Sequence, residues 1–546
     1  MEGLMQDWPL RVTTIIDHAA RAHPEQEIVT RTVEGPIHRY TYKDLHSRSK
    51  KAAKALLELG VKKGDRIATL AWNTYRHMET WYGIMGIGAI CHTLNPRLFT
   101  DQLIYIINHA EDDYIITDLT FISILEEIAD DIACVKGFIV LTDLEHMPET
   151  SLNNVMCYEE LIEAQNDEFE WLEFDENTAC GLCYTSGTTG NPKGVLYSHR
   201  SNVIHAIASN SADGMGLKAT DTVLPVVPMF HANAWGLVFS APSVGAKIVM
   251  PGMKLDGESI YELLENEKVT STAAVPTVWL MLLDYMEQTD LKLSTLENVV
   301  IGGAACPEII IEKFEKNYGV KVIHAWGMTE MSPLGTLNLA KSGMDEWSYE
   351  RQMKHKLKQG RAVYTVEMKI ADDDGNELPC DGETSGHLMV RGPAVARVYF
   401  KNEGGDILDK DGWFDTDDVA TLDPQGFMQI TDRSKDVIKS GGEWISSIEL
   451  ENIAMSHWAV AEAAVIGVSH PKWTERPLLI VVPKDGKTLT KDDVLNFMTD
   501  KIAKWCLPDD VVFVDELPHT ATGKVQKLLL REQFKDYQLP TVQAAE

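Results

Sequence analysis

The chain of 546 residues exceeds the size at which one hydrophobic core keeps growing, so at least two domains are expected. Its composition, 44% hydrophobic and 24% charged, is that of an ordinary soluble globular protein. With 50 basic against 82 acidic side chains the formal charge is −32, which argues against nucleic acid or anionic membrane as a partner. No run of about 18 apolar residues is present, so neither a transmembrane helix nor stable membrane anchoring is expected. The segment Met1-Glu2-Gly3-Leu4-Met5-Gln6-Asp7 lacks the basic and apolar regions of a secretory signal, and Gln543-Ala544-Ala545-Glu546 is not a peroxisomal address. Eight scattered cysteines fit a reducing compartment, and the expected location is the cytoplasm. Cys180 and Cys183 form a C-x-x-C without the second pair that zinc wants, and they read as small core residues.

In chain order, the pattern predicts an amphipathic helix over 41–59, capped near Thr41 and ended by Gly60. A short apolar strand follows at 66–71, then a glycine-containing helix over 79–88 and strands at 114–117 and 137–141. Residues 179–183 read as a further strand. The alternation returns with strands at 222–227, 247–250, 271–274, 299–301 and 321–324. Strand–helix alternation over several hundred residues implies an α/β fold on parallel sheet. Near 360 the texture changes to short strands and turns (366–370, then Asp372-Asp373-Asp374-Gly375, then 387–390), as in an antiparallel β subdomain. The last segment has its own strands at 463–468 and 478–482 and reads as a small α+β domain. The expected division is therefore 1–435, with a β-rich part at about 360–435, and 436–546.

Residues 184–194, directly after the strand-like run at 179–183, read Tyr-Thr-Ser-Gly-Thr-Thr-Gly-Asn-Pro-Lys-Gly. Glycines let backbone N–H groups approach a polyphosphate, hydroxyls donate to it, and Lys193 supplies a cation. The pattern is not G-x-x-x-x-G-K-[ST], because Gly194 follows the lysine, so a P-loop kinase or GTPase is not indicated. A flexible surface turn is the plainer alternative for such a stretch. Farther on come Gly302-Gly303-Ala304-Ala305 at a strand end, small side chains that let a ligand lie against backbone. Trp326-Gly327-Met328-Thr329-Glu330 follows a strand, and Asp411-Gly412-Trp413-Phe414-Asp415-Thr416-Asp417-Asp418 lies in the β-rich part. Then come Asp432-Arg433-Ser434-Lys435-Asp436-Val437-Ile438-Lys439, Ser440-Gly441-Gly442-Glu443-Trp444-Ile445, and Leu517-Pro518-His519-Thr520-Ala521-Thr522-Gly523-Lys524.

These motifs, in this order from about residue 10 to 535, resemble the acyl-CoA synthetases of the adenylate-forming superfamily. The resemblance is nearest to medium- and long-chain fatty-acyl-CoA ligases and, within those, to methylmercaptopropionate-CoA ligases. It implies a large N-terminal domain of two α/β sheet subdomains plus a β subdomain, a small mobile α+β C-terminal domain, and a hinge near Lys435. It implies ATP, CoA and Mg²⁺ as cofactors, and a small carboxylic acid as substrate: 3-methylmercaptopropionate or a short- to medium-chain fatty acid. A homodimer is implied by the same analogy.

Residue by residue, the resemblance places Thr185, Ser186, Gly187, Thr188, Thr189, Gly190 and Lys193 on the phosphates. It places Gly303, Ala304, Ala305, His324, Ala325, Trp326, Gly327, Met328 and Thr329 along the nucleotide. Thr185 and Glu330 fall to Mg²⁺, and a hard cation of this kind prefers few carboxylates beside phosphate oxygens and waters. Asp418 falls to the ribose hydroxyls and Arg433 to ribose or phosphate, with Asp417 and Asp432 standing where relatives usually carry glycine. Lys435, Lys439, Gly441, Gly442, Glu443 and Trp444 belong to the hinge and the turn that shapes the thiol tunnel. Lys524 would reach the carboxylate and the α-phosphate, with Lys193, Thr329 and Glu330 as the other catalytic groups.

On the acyl side, His231, Trp235, Gly302 and Gly303 are the expected contacts, with His231 and Trp235 resembling a gate. No aspartate lies between Asp221 and Asp256 to pair an α-ammonium, so an uncharged chain is favoured. Other readings stand beside this one. The acid could be a long-chain fatty acid, or an adenylating enzyme could hand its acyl group to a carrier protein or to oxygen. A non-catalytic nucleotide sensor is the third.

Overall fold

The computed structural model describes residues 1, 3–185, 191–440, 443–484, 486–499, 501–519 and 525–540, with backbone alone for 443 and 444. The chain packs as two compact units. The first comprises Met1–Thr185, Asn191–Glu367 and Arg391–Phe414, and the second includes Met368–Val390 and Asp415–Glu546.

The first unit carries two sheets built from the predicted alternation. One runs in the order Val155–Cys157, Gly137–Val140, Tyr114–Thr117, Arg66–Leu70, Ile90–Thr93, Ala179–Tyr184, Gly194–Ser198. All of these pair in parallel except the last two, which form an antiparallel pair. Several are short apolar runs buried at every position, as expected where helices cover both faces. The other sheet places Lys321–Gly327, Asn298–Ile301, Ser271–Ala274, Thr222–Pro225, Lys247–Met250 and Glu27–Arg31 side by side in parallel. Its core gathers Leu224, Val249, Trp279, Val299, Ile301 and Phe314, all essentially inaccessible.

The helix expected from residue 41 runs over Tyr42–Glu58. Thr41 caps it in a reciprocal box with Asp44, and Gly60 beyond it takes φ 88°. The helix expected at 79–88 instead covers Tyr75–Gly86. Thr74 accepts from the His77 N–H and starts it four residues early, a polar cap that an apolar-periodicity reading passes over. Inside it, a Cβ on Gly83 would stand 3.0 Å from the Ala52 Cβ, so the glycine lets this helix and Tyr42–Glu58 pack closely.

In the second unit, Glu367–Ala371, Ser385–Arg391, Phe414–Leu422 and Phe427–Arg433 neighbour one another in that order. A further sheet sets Glu443–Ile445, Ile438–Ser440, Thr474–Pro483 and Val460–His470 side by side, with Asp510–Phe513 parallel to Thr474–Pro483. The helices Ser447–Met455 and Lys491–Thr499 contribute Leu450, Ala454, Val494 and Met498 to its core. The architecture is thus α/β, with a larger N-terminal and a smaller α+β C-terminal body. Packing groups 368–390 and 415–435 with the C-terminal segment, whereas the sequence pattern divides the chain at 435. One contact that ties them is the Asp432 carboxylate, which accepts from the Ser447 hydroxyl at 3.0 Å. Among the described residues, no helix is long and apolar enough to cross a membrane.

Candidate active site

The phosphate-type loop springs from the antiparallel pair at the edge of the first sheet. Tyr184 pairs with Gly194, and the next residues close the neck: the Thr185 N–H donates to the Lys193 carbonyl at 2.9 Å. The Lys193 N–H returns a bond to the Thr185 hydroxyl at 3.2 Å. Ser186, Gly187, Thr188, Thr189 and Gly190 lie outside the described residues. Behind the neck, the Tyr184 hydroxyl meets His109 Nδ1 at 2.7 Å. Lys193 is therefore fixed at the loop's base by paired backbone.

Its ammonium sits 4.9 Å from the centroid of the Tyr399 ring. The Tyr399 hydroxyl in turn donates to Glu330 Oε1 at 2.7 Å. Glu330 is 6% exposed and sits in the short turn Thr329–Met331 after the strand Lys321–Gly327. That turn is held by backbone: the Ala396 N–H donates to the Glu330 carbonyl at 2.7 Å and the Tyr197 hydroxyl to the Thr329 carbonyl at 2.7 Å. The structure thus brings Lys193, Thr329 and Glu330 into one region.

Magnesium fits this donor set. Among the described residues, no three His, Cys, Asp or Glu side chains group to cage a metal. A single buried carboxylate is what Mg²⁺ uses when phosphates and waters fill the remaining positions. Glu330 is a buried carboxylate of this kind, and Thr185 stands at the loop neck.

The neighbouring strand ends supply the rest. Gly303, Ala304 and Ala305 are exposed just past Asn298–Ile301, an open ledge of small side chains. A Cβ on Gly302 would lie 3.2 Å from the Trp235 ring and 3.1 Å from the Ala325 carbonyl, so the indole lies over the glycine pair. Trp326 packs against Gly335, where a Cβ would come within 2.6 Å of its ring. Gly327 is exposed at the end of its strand, followed by Met328, half-buried.

His324 lies along the stretch named for the nucleotide, with its side chain turned into the protein, so a contact there falls to its backbone. It is buried, Nδ1 is 3.1 Å from the Leu357 carbonyl, and Nε2 accepts from the Cys306 N–H at 3.3 Å. Burial pushes its imidazole down to about 4, so the ring is neutral at pH 7. It braces the backbone around 302–306.

His231 precedes a run of unusual backbone, and Trp235 lies within it. Ala232, Asn233, Ala234, Trp235 and Gly236 take φ of 43°, 59°, 49°, 53° and 79°, a left-handed turn with four non-glycine members. Each such residue costs about 1–2 kcal/mol, and strain of this kind collects at functional sites. The segment that leads into the turn is held by Asn73, and the turn itself by Asn202. Asn73 Nδ2 donates to the Pro225 and Val227 carbonyls at 2.8 and 2.9 Å, and its Oδ1 accepts from the Met229 N–H at 2.6 Å. Asn233 donates to Asn202 at 3.3 Å, and Asn202 to Cys180 Sγ at 3.2 Å. Cys180 and Cys183 are buried core residues beneath this turn, as their lone C-x-x-C suggests. His231 and Trp235 are both half-buried. Beyond the turn, the face of His205 lies so close to Gly236 that a Cβ there would come within 2.5 Å of its ring.

In the second unit, Arg433 Nε pairs with Asp418 at 2.8 Å, Asp418 being 3% exposed. Asp417 takes φ 60°, the left-handed conformation for which glycine is usual, so its backbone follows the course that a glycine permits. Asp432 is buried against Ser447 and Lys527, and its carboxyl is raised by burial with Lys527 pulling it back. Both departures from glycine thus have a local place. Lys435 Nζ lies 3.9 Å from Asp417, and Lys439 is exposed. Gly441, Gly442 and Lys524, and the side chains of Glu443 and Trp444, lie outside what is described.

Tyr399, Tyr197 and Asn73 are the site residues that the sequence reading missed. Tyr399 lies 69 positions from Glu330 in the chain, and nothing in its own neighbourhood marks the contact.

Residues 16–400 match the family model described as AMP-binding enzyme, and residues 449–524 match its C-terminal domain. The chain is 51% identical over 536 residues to a 3-methylmercaptopropionyl-CoA ligase of Ruegeria lacuscaerulensis, covering 98% of this chain and 99% of that one. It is 47% identical over 536 residues to a medium-chain-fatty-acid–CoA ligase of Ectopseudomonas oleovorans, covering 98% of each. The crystal structure of the anthranilate CoA ligase AuaEII with anthranoyl-AMP shares the fold, with a TM-score of 0.84 at 24% identity over 97% of this chain and 99% of that one. The chain belongs to the AMP-binding enzyme family, the adenylate-forming acyl-CoA ligases.

Proposed function

We infer that the protein is an AMP-forming acyl-CoA synthetase using ATP, CoA and Mg²⁺, and that its acid is 3-methylmercaptopropionate or a short- to medium-chain fatty acid. The observation that carries this reading is the convergence of Lys193 and Glu330 on Tyr399, together with the Trp235 indole over Gly302. In the first half-reaction the substrate carboxylate attacks the α-phosphorus of ATP, and pyrophosphate leaves. Lys193 and Lys524 face the charge that develops on the phosphate oxygens, and positioning supplies much of the rate. Bound at Glu330 and Thr185, Mg²⁺ would neutralise phosphate charge. In the second half-reaction the thiol of CoA attacks the acyl-adenylate carbonyl and AMP leaves. A carboxylate is already ionised at pH 7, so no base is needed for the first attack.

Asp418 and Arg433 are the proposed ribose contacts, and the loop 185–190, the ledge 303–305 and 324–329 the proposed nucleotide wall. We place the boundary of a rotating C-terminal domain at Lys435, with Lys439 and 441–444 entering for thiol transfer. Residues 360–435 form the proposed β-rich subdomain. The proposed location is the cytoplasm, without membrane anchoring, and the proposed assembly, by family analogy, is a homodimer.

The substrate reading rests on the two ligases at 51% and 47% identity and on the uncharged gate region. Its test is AMP formation with CoA over 3-methylmercaptopropionate, butyrate, octanoate and palmitate, for the parent and Trp235→Ala. The parent is expected to prefer the short and medium acids. Removing the indole above Gly302 is expected to shift the preference toward longer chains by about 10-fold in relative kcat/KM, the scale of a few methylenes in an apolar pocket. A parent preference for palmitate moves the assignment to long-chain acids. Identical profiles for parent and variant remove Trp235 from the gate.

A further inference from the structure

We propose that Tyr399 is a positioning residue that presents Lys193 and Glu330 to the MgATP phosphates, one through its ring and the other through its hydroxyl. The proposal rests on the reading above, in which Lys193 serves phosphate and Glu330 serves Mg²⁺.

Tyr399 is 9% exposed and packs with Cys183, Val195 and Tyr197, which fixes its ring plane. Its hydroxyl donates to Glu330 Oε1 at 2.7 Å, and the Lys193 ammonium lies 4.9 Å from its ring centroid. Two opposite charges are thereby held by one neutral side chain. A Cβ on Gly404 would stand 3.4 Å from Lys193 Nζ, so this glycine borders the ammonium closely.

The two contacts reinforce each other chemically. A phenol that donates to a carboxylate gains electron density on its ring, and the ring face then attracts an ammonium more strongly. Each contact is also one that a ligand can outcompete: phosphate for the ammonium, a divalent cation for the carboxylate. A hydrogen-bonding partner of a metal-binding carboxylate orients it, and loss of such a partner typically lowers metal affinity 10–100-fold. Ordinary core packing would need the ring and not the hydroxyl. Phenylalanine at this position separates the two roles, because it keeps the ring beneath Lys193 and removes only the donor to Glu330.

The experiment measures Mn²⁺ affinity by electron paramagnetic resonance in the presence of α,β-methylene-ATP, and metal-free binding of the same nucleotide by calorimetry. The full-length proteins are the parent, Tyr399→Phe, Tyr399→Leu and Glu330→Gln. Tyr399→Phe is expected to weaken Mn²⁺ binding by about 10-fold or more, with metal-free nucleotide affinity within about twofold of the parent. In turnover its apparent Mg²⁺ requirement rises. Tyr399→Leu is expected to weaken metal-free nucleotide binding as well, because the ammonium loses its platform. The proposal is overturned if Glu330→Gln weakens Mn²⁺ binding while Tyr399→Phe binds it as the parent does. If Glu330→Gln itself binds Mn²⁺ like the parent, the metal reading of Glu330 fails and the proposal falls with it. Should Tyr399→Leu fail to fold, Tyr399→Phe still decides the matter.

Discussion

Lys524→Ala is expected to lower pyrophosphate-forming activity by about 10²–10³-fold, the loss typical of one preorganised group that stabilises transition-state charge. Thioester formation from supplied acyl-adenylate is expected to survive, within a few-fold of the parent. The reason lies in the division of labour. Attack on phosphorus builds charge on oxygens that a lysine can meet, whereas attack of the thiol on an activated carbonyl makes no such demand at that atom. Lys524 ends the motif 517–524 and itself lies outside the described residues, so this expectation rests on the family pattern. Acyl-adenylate and CoA are supplied directly and AMP release is timed, beside the pyrophosphate assay with ATP and acid. Equal loss in both halves contradicts a lysine that serves only adenylation.

A second large effect is expected at Arg48, on the helix Tyr42–Glu58. Glu79 is fully buried on the helix Tyr75–Gly86, and Arg48 Nε reaches it at 2.7 Å. Arg48 also bonds both oxygens of Glu159, at 2.9 and 3.0 Å. Arg76 joins Glu159 and Glu34, each at 2.7 Å, and the Tyr158 hydroxyl donates to Glu79 at 2.9 Å. Burial pushes the Glu79 carboxyl up and Arg48 pulls it back, so the charge depends on this guanidinium. Arg48→Met strands a buried carboxylate and is expected to destabilise the first unit by about 3–5 kcal/mol in denaturant unfolding. Adding Glu79→Gln is expected to recover a good part of that loss, because the stranded charge is gone. A single variant within about 0.5 kcal/mol of the parent contradicts the role given to Arg48.

Much of the larger fold was legible in the chain because its strands are short, apolar and separated by helices. The runs at 114–117, 247–250 and 271–274 fall on strands with the same ends. Edges that depend on polar caps or on tertiary pairing were less legible. Thr74 starts its helix four residues early, and the strand at 321–324 continues to Gly327 because it pairs with Leu334–Leu337. Candidate residues inside contiguous motifs, such as Lys193 and Glu330, could be named from the sequence because glycines, hydroxyls and charges crowd together there, and the fold brings these two to one tyrosine. Tyr399 and Asn73 could not. Each acts across a long stretch of chain, and a lone tyrosine or asparagine carries no local signature. The left-handed turn at 232–236 was hidden for a related reason: alanine and tryptophan seldom take that conformation, so only the folded backbone and the Asn233–Asn202 bond reveal it. His324 shows the converse. A motif position named it for the nucleotide, and what the motif did not reveal is that its ring is bonded to backbone on both sides.

Adenylation bonds a substrate carboxylate oxygen to the α-phosphorus. Turnover of ¹⁸O-labelled 3-methylmercaptopropionate or octanoate with ATP and CoA, followed by mass spectrometry of the AMP, tests it most directly. The predicted result is AMP carrying a single ¹⁸O for each acyl-CoA formed. Unlabelled AMP alongside normal thioester formation would contradict it.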